Sequence, residues 1–169
     1  VDGCFTTEQP TQHLLLEQIL SPDNLNRAYL QVRRNHGAAG VDRMDCDHLC
    51  DYLKRHKDAL TESVRQRTYC PNPVRRVEIP KDNGKKRLLG IPTVVDRVIQ
   101  QAIAQVLSPI YERQFSEGSY GFRPQRGAKH ALVQVTKIVE SGYRYAVDID
   151  LERFFDTVNH AKLIDILQS

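Results

Sequence analysis

Two aspartates near the end of the chain have a spacing that could hold a metal ion. Polar and apolar residues alternate in residues 143–150, which predicts a β-strand with Asp148 and Asp150 on the same side. Phe154 and Phe155 follow in a predicted turn or short helix. Mg²⁺ prefers oxygen ligands, usually one or two carboxylates together with substrate phosphates. Asp150, at the strand end, is therefore a candidate ligand, although paired strand acids are more often only solvent-facing.

A concentration of basic side chains lies in residues 65–97. This segment has a charge balance of +6, whereas the whole chain has +3 because the remaining residues are slightly acidic. The basic residues are Arg65, Arg67, Arg75, Arg76, Lys81, Lys85, Lys86, Arg87 and Arg97. Focused positive charge is expected where a protein holds phosphates. The alternative is a solvated surface of lysine and arginine.

The basic segment and the aspartate together predict a site that holds a triphosphate between cations and a metal ion. Phosphoryl transfer needs positioning and charge neutralisation more than a nucleophilic side chain. The chain has no P-loop motif and no serine or cysteine nucleophile motif. Cys46 and Cys50 are one helical turn apart with His48 pointing away, so we interpret them as small apolar residues and assign no zinc.

Helices are predicted before the basic segment. A stripe of leucine and isoleucine predicts a first helix, and Ser21-Pro22-Asp23 combines a capping serine, a first-turn proline and an acid that start a second. This second helix should stop near residues 35–37. A small-residue loop, 37–42, then precedes a third helix that carries Leu49 and Tyr52.

The basic segment is predicted to form a β-hairpin. Residues 74–79 alternate in polarity, which places Val77 and Ile79 on one half-buried face. Residues 81–84 contain the Asn-Gly turn signal, and residues 86–89 can return as the partner strand. The alternative is a surface hairpin whose lysines protect a sheet edge.

The remaining elements are predicted to be mainly helical. Residues 94–107 form an apolar helix buried on most of its circumference, which should end at Ser108-Pro109. A loop rich in glycine and aromatic residues, 115–124, leads into a helix over 126–141, and Asn159-His160 opens a last helix.

Length and composition indicate a globular protein. The chain has 169 residues, of which 40% are hydrophobic and 27% charged, and no apolar run approaches the roughly 18 residues of a membrane helix. The four cysteines follow no signal peptide, which favours reduced thiols in a cytoplasm. Because the chain starts at Val1 and ends within a helical pattern, we interpret it as a fragment of a longer protein.

Four motifs in order resemble the bacterial group II intron reverse transcriptases, also called maturases. They are Ile79-Pro80-Lys81-Asp82-Asn83-Gly84-Lys85-Lys86-Arg87-Leu88-Leu89-Gly90-Ile91-Pro92-Thr93, Asp96-Arg97-Val98-Ile99-Gln100-Gln101-Ala102, Gly121-Phe122-Arg123-Pro124-Gln125-Arg126-Gly127-Ala128 and Asp150-Leu151-Glu152-Arg153-Phe154-Phe155-Asp156-Thr157-Val158-Asn159-His160. Gly40-Val41-Asp42 is similar to the N-terminal extension motif of the same family. The resemblance covers about residues 14–168.

The resemblance implies an α+β fold with a mostly helical fingers subdomain, a basic β-hairpin, and the first strand and helix of a right-hand polymerase palm. The implied organisation is an N-terminal helical extension over residues 1–70, fingers with the basic hairpin over 71–140, and a partial palm over 141–169.

The same resemblance implies a role for individual residues. Asp150 matches the first catalytic, metal-binding aspartate, and Ile149 matches the adjacent position whose backbone carbonyl coordinates the metal. Lys81 and Arg87 match the fingertip cations that bind the incoming dNTP, with Arg75 as a third contact. Asp148 has no counterpart that we can place.

One aromatic residue is implied to control the choice of sugar. Phe155 matches the aromatic gate that stacks under the sugar of the incoming nucleotide and excludes a 2′-hydroxyl. The resemblance therefore implies a contact to the sugar in addition to the contacts to the metal and the triphosphate.

The implied function is an Mg²⁺-dependent RNA-directed DNA polymerase that also assists intron splicing and retrohoming. Its partners would be group II intron RNA, an RNA or DNA template-primer and dNTPs, without a membrane, in the bacterial cytoplasm. The family's second carboxylate motif, Tyr-Ala-Asp-Asp, is absent from this sequence, so we expect the 169 residues alone to be inactive.

Other interpretations remain open. One is a non-enzymatic RNA-binding domain of a splicing factor, and another is a related bacterial reverse transcriptase of a defence or diversity-generating system. Apolar surface that the rest of a palm would cover could also support a homodimer.

Overall fold

A computed structural model describes residues 10–80, 84, 86–151 and 154–168. The chain divides into two compact units, Val1–Phe115 and Ser116–Ser169. The described elements are helices and a two-stranded antiparallel sheet, which confirms the α+β class at this level. No helix in the described ranges is long and apolar enough to cross a membrane.

The first unit begins with two helices, α1 (Pro10–Leu20) and α2 (Pro22–Arg34). Ser21 caps α2 as predicted: its Oγ accepts a hydrogen bond from the Asn24 backbone N–H at 3.4 Å, and Pro22 occupies the first turn. The helix ends at Arg34, where the sequence predicts its stop. The loop that follows leads to α3 (Leu49–Arg65), in agreement with the predicted third helix.

Packing of α2 against α4 (Val94–Glu112) forms the core of the first unit. Small and β-branched side chains let the two helices approach, and Leu49 of α3 closes the core. Asn24 is buried at this contact, where its Nδ2 donates to the carbonyl oxygens of Ile19 and Ala102 at 2.9 and 3.0 Å. The buried cluster comprises Ala28, Val32, Cys46, Leu49, Val94, Val95, Val98 and Ala102.

The apolar helix α4 differs from its prediction in two respects. Its first half is mostly buried, but the second half is half-buried or exposed, so the apolar sequence overstates its burial. The helix also continues through Pro109 to Glu112 instead of ending at Ser108-Pro109. The last turn can persist because residues after the proline still donate to carbonyls one turn earlier.

An ion pair joins α1 to α3. Arg65 donates from Nε and Nη2 to the two carboxylate oxygens of Glu17, at 2.9 and 3.1 Å, and from Nη1 to Glu62 at 2.9 Å. These two carboxylates raise the pKa of Arg65 above its usual value, chiefly through hydrogen bonding to Glu17. Arg65 is therefore engaged within the first unit, although the sequence alone counts it in the basic segment.

The second unit contains α5 (Ala128–Glu140), α6 (Phe154–Thr157) and α7 (His160–Gln168), close to the predicted helices. Asn159 starts α7, since its Oδ1 accepts the Lys162 backbone N–H at 3.0 Å. The predicted strand over residues 143–150 is wrong: these residues form no strand in the structure. A strand needs a hydrogen-bonded neighbour, and the described residues offer none to this segment.

Candidate functional site

The basic hairpin consists of β1 (Arg75–Pro80) and β2 (Lys86–Ile91), paired antiparallel. Its register pairs Ile79 with Arg87 and Arg75 with Ile91. Because paired residues share a face and the side chains alternate along each strand, Arg75 and Arg87 lie on the same face of the hairpin. Two of the predicted dNTP contacts are thus brought to one surface. The third, Lys81, lies outside the described residues.

The hairpin is exposed on both faces. Val77 and Ile91 alone among its strand residues are half-buried, whereas Ile79 is exposed, so the predicted half-buried face is wrong for Ile79. Lys86 forms an ion pair with Glu78 at 2.5 Å within the hairpin. The side chains of Arg75 and Arg87 are exposed, which leaves the guanidinium groups accessible to a phosphate.

A buried carboxylate secures the base of the hairpin. Asp96, in the first turn of α4, is only 2% exposed. Its Oδ1 accepts the Tyr69 hydroxyl at 2.5 Å, and its Oδ2 accepts the Thr93 hydroxyl at 2.5 Å and the Asn72 backbone N–H at 3.3 Å. Thr93 in turn caps α4 by accepting the Asp96 backbone N–H at 3.2 Å. We call Tyr69, Asn72, Thr93 and Asp96 the hairpin junction.

The pKa of Tyr69 reflects the buried environment of the junction. Burial, followed by the hydrogen bond to Asp96, raises the pKa of the Tyr69 hydroxyl above its usual value, so the phenol stays protonated as a donor. The sequence motifs include Asp96 but do not indicate its partners, because Tyr69 and Asn72 lie 27 and 24 residues away in sequence. The spacing Thr93-x-x-Asp96 is a capping signal that could have indicated the contact with Thr93.

The small-residue loop packs directly onto the junction. A Cβ placed on Gly40 would lie 2.7 Å from Thr93 Cα and 2.8 Å from Thr93 N, so only glycine fits this close backbone approach. Arg97, next to Asp96, donates from Nη2 to the Ala38 carbonyl at 2.7 Å. The loop with the Gly40-Val41-Asp42 motif is therefore held at the start of α4.

The second unit carries Asp150, Ile149 and Phe155, all exposed. Asp150 Oδ1 accepts the Leu151 backbone N–H at 2.9 Å. Ile149 is 82% exposed and Phe155 is 88% exposed. The Phe155 ring lies edge-on to the Phe154 ring at 5.5 Å between centroids. The predicted metal ligand and aromatic gate are thus both accessible in this unit.

Arginines of the Gly-Phe-Arg-Pro motif stabilise a turn. Arg123 Nη1 donates to the carbonyls of Ser116 and Ser119, at 2.6 and 3.1 Å. Arg126 Nη1 donates to the Glu117 carbonyl at 2.5 Å, and its guanidinium lies 5.7 Å from the Tyr120 ring centroid. These motif cations support the loop before α5.

The oxygen donors near Asp150 are suited to a hard cation. A carboxylate at Asp150 and the backbone carbonyl of Ile149 supply only oxygen ligands, as Mg²⁺ prefers. Within the described ranges, no three His, Cys, Asp or Glu side chains gather into a metal site. Two protein donors nevertheless fit Mg²⁺, which usually retains waters and substrate phosphates among its ligands.

Comparison with known proteins extends this picture. A family model described as "Reverse transcriptase (RNA-dependent DNA polymerase)" matches residues 79–169, which is more than half of the chain. This matched range contains β2, α4 and Asp150.

Curated relatives give a consistent result. The chain is 38% identical to Protein YkfC from Escherichia coli over 89% of its own length and 41% of that protein. It is 37% identical to the Group II intron-encoded protein LtrA from Lactococcus lactis, over 90% of the chain and 25% of LtrA. The COX1/OXI3 intron 2 protein of Saccharomyces cerevisiae is 32% identical, over 83% of the chain and 16% of that protein.

The chain spans less than half the length of each of these relatives. The family match covers the hairpin return strand and the aspartate motif, and the relatives extend the similarity over most of the chain. The chain therefore belongs to the reverse transcriptase (RNA-dependent DNA polymerase) family, and the relatives it resembles include a group II intron-encoded protein.

Proposed function

We propose that this chain forms the fingers and the first part of the palm of an RNA-directed DNA polymerase encoded by a group II intron. The observation that carries the proposal is the family match over residues 79–169, which includes Asp150 and Arg87. The N-terminal helical extension, fingers and partial palm would be residues 1–70, 71–140 and 141–169. We attribute the activity to the complete protein that carries this sequence, since the chain spans 41% or less of its named relatives.

The hairpin arginines would hold the triphosphate of the incoming dNTP. Arg75 and Arg87 share one exposed face of the hairpin, and Lys81 lies between the two strands in sequence. A guanidinium stays charged at all physiological pH values and can donate two parallel hydrogen bonds to a phosphate. Such cations stabilise the charge that develops on the phosphoryl oxygens during transfer.

Asp150 and the Ile149 carbonyl would hold Mg²⁺. When bound, this ion would neutralise phosphate charge and orient the reacting groups. The exposure of both residues leaves room for the substrate phosphates that complete the ligand set. Phe155 would lie against the sugar, where its ring would exclude a 2′-hydroxyl.

A role in splicing is supported by a separate observation. Relatives of this chain include LtrA, named as a group II intron-encoded protein, and Nuclear intron maturase 2 of Arabidopsis thaliana. We propose group II intron RNA and a template-primer as partners, bound through exposed hairpin cations such as Arg76. RNA helices are recognised through shape, phosphates and 2′-hydroxyls, which suits a basic hairpin. A homodimer and a cytoplasmic location in bacteria remain part of the proposal.

The assignment of Asp150 is tested by primer extension. In the complete protein, Asp150→Ala should reduce extension to background while RNA binding, measured by filter retention, stays close to wild type. Asp148→Ala is the matched control, because this exposed aspartate lies two residues away and has no assigned role. It should retain extension. Wild-type rates in Asp150→Ala would refute the metal site.

A further inference from the structure

We propose, on the basis of the polymerase function above, that Asp96 is a positioning residue for the fingertip cations. Its buried carboxylate fixes both ends of the basic hairpin to α4 and so determines where Arg75 and Arg87 meet the incoming triphosphate.

The junction reaches the chain on both sides of the hairpin. Tyr69 and Asn72 precede β1, and Thr93 follows β2. All three donate hydrogen bonds to the single carboxylate of Asp96, at 2.5, 3.3 and 2.5 Å. Hydrogen bonds to a charged, buried acceptor are stronger than those between neutral groups. One side chain thereby joins the entry and the exit of the hairpin.

The other contacts of the described hairpin residues are mostly local to the hairpin. Its strand residues are exposed except for Val77 and Ile91, which are half-buried. The ion pair between Lys86 and Glu78 lies within the hairpin itself, as does the close approach of Gly90 to the Val74 side chain. Neither contact links the hairpin to α4, so among the residues that the structure describes the junction is the hydrogen-bonded connection between them.

The length of the hairpin amplifies any change at its base. Arg87 lies four residues from Ile91, or about 13 Å along the strand. A tilt of roughly 10° at the junction would move Arg87 by about 2 Å, and a misplacement of about 1 Å can cost about 100-fold in a reaction that depends on positioning. Loss of the junction hydrogen bonds should therefore raise the KM for dNTP while the core of the first unit stays folded.

Asn24 provides a matched comparison. It is also a buried polar residue of the first unit, 3% exposed against 2% for Asp96, and it also joins separate elements by hydrogen bonds. The partners of its side chain are Ile19, Arg27, Ala102 and Gln105, none of which belongs to the hairpin. A substitution of Asn24 should therefore lower stability without changing the hairpin.

The experiment compares Tyr69→Phe, Asp96→Asn and Asn24→Ser in the complete protein, with saturating template-primer. Tyr69→Phe, the mild variant, should raise the dNTP KM about three- to tenfold with kcat within about twofold, and Asp96→Asn should raise this KM about tenfold or more. Asn24→Ser should leave the dNTP KM unchanged. An unchanged KM in Tyr69→Phe, or an equal rise in Asn24→Ser, would overturn the proposal.

Amide hydrogen exchange provides a readout that does not depend on activity. Tyr69→Phe should speed exchange in Arg75–Pro80 and Lys86–Ile91 relative to Pro22–Arg34, and Asn24→Ser should do the reverse. Failure of the wild-type protein to incorporate dNTPs would refute the polymerase function. The exchange pattern would still test whether the junction holds the hairpin. Equal exchange in the hairpin of Tyr69→Phe and wild type would refute the junction alone.

Discussion

At the scale of single residues, Phe155 offers the clearest test of substrate choice. Phe155→Val should increase ribonucleotide incorporation, because a smaller side chain leaves room for a 2′-hydroxyl. Steric exclusion of a small group is worth about 10- to 100-fold in selectivity. The measurement is the ratio of kcat/KM for dNTP and rNTP in the complete protein.

Phe154→Val is the control for this ratio. Phe154 is adjacent, is half exposed at 50%, and touches Phe155 edge-on, so its substitution perturbs the same helix without removing the proposed gate. It should leave the ratio close to wild type. A ratio that is unchanged in Phe155→Val would contradict the gate.

At position 40, close packing against the Thr93 backbone requires glycine. Gly40→Ala should destabilise the chain by about 1–3 kcal/mol, as expected for overpacking, because the added Cβ would meet the Thr93 backbone. Gly121→Ala is the control: a Cβ there meets no atom within 4 Å, and the change should stay within about 0.5 kcal/mol. Urea unfolding followed by circular dichroism measures both, and equal effects would contradict the close approach.

At the scale of elements, the hairpin should dominate electrostatic binding of RNA. Residues 75–87 contain six basic side chains, and neutralising about six phosphates should lower RNA affinity about 10³-fold between 50 and 200 mM salt. Arg76→Ala should reduce the slope of log affinity against log salt by about 1. Fluorescence anisotropy with a labelled intron RNA gives this slope.

Arg65→Ala is the internal control for the salt slope. Arg65 belongs to the same basic segment of the sequence, but its guanidinium is engaged with Glu17 and Glu62. Its substitution should leave the slope unchanged. An equal loss of slope in Arg65→Ala and Arg76→Ala would mean that the hairpin has no special part in binding.

The elements show where sequence patterns succeed and where they fail. Ser21 and Asn159 carry local capping signals, so the starts of α2 and α7 could be predicted from a few neighbouring residues. The hairpin pairing likewise agrees with the Asn-Gly signal that the sequence carries between the two strands. The strand over 143–150 failed because pairing depends on a partner elsewhere, which alternation in one segment does not reveal.

The candidate site divides in the same way between features predicted from local motifs and features that depend on residues distant in sequence. Motifs predict roles for Arg87 and Asp150, and those roles stay predictions, whereas the role proposed for Asp96 depends on Tyr69, 27 residues away in sequence. The count of basic residues also overstated the free charge, since Arg65 and Lys86 form ion pairs and Arg97 binds a loop carbonyl. Which cations remain available is a property of the folded elements.

At the scale of the whole molecule, the 169 residues should not polymerise alone. Asp150 is the single catalytic carboxylate that we propose, and two-metal nucleotidyl transfer needs further carboxylates. Helix α5 has no buried residue, and its exposed apolar side chains, among them Leu132 and Val135, are available to be covered by other protein surface. Primer extension with Mg²⁺ and dNTPs should detect no product, and extension by this chain alone would contradict the expectation.

The exposed hairpin has a consequence for how its variants behave in a cell. Because its strand side chains are largely outside the core, substitutions such as Arg87→Ala remove little buried surface and should barely change folding. Degradation machinery responds to the population of unfolded chains, so it would not remove such proteins. Defects in the hairpin should therefore accumulate as full-abundance protein with impaired dNTP use and weakened RNA binding, while defects at Asn24 or Gly40 should lower abundance first.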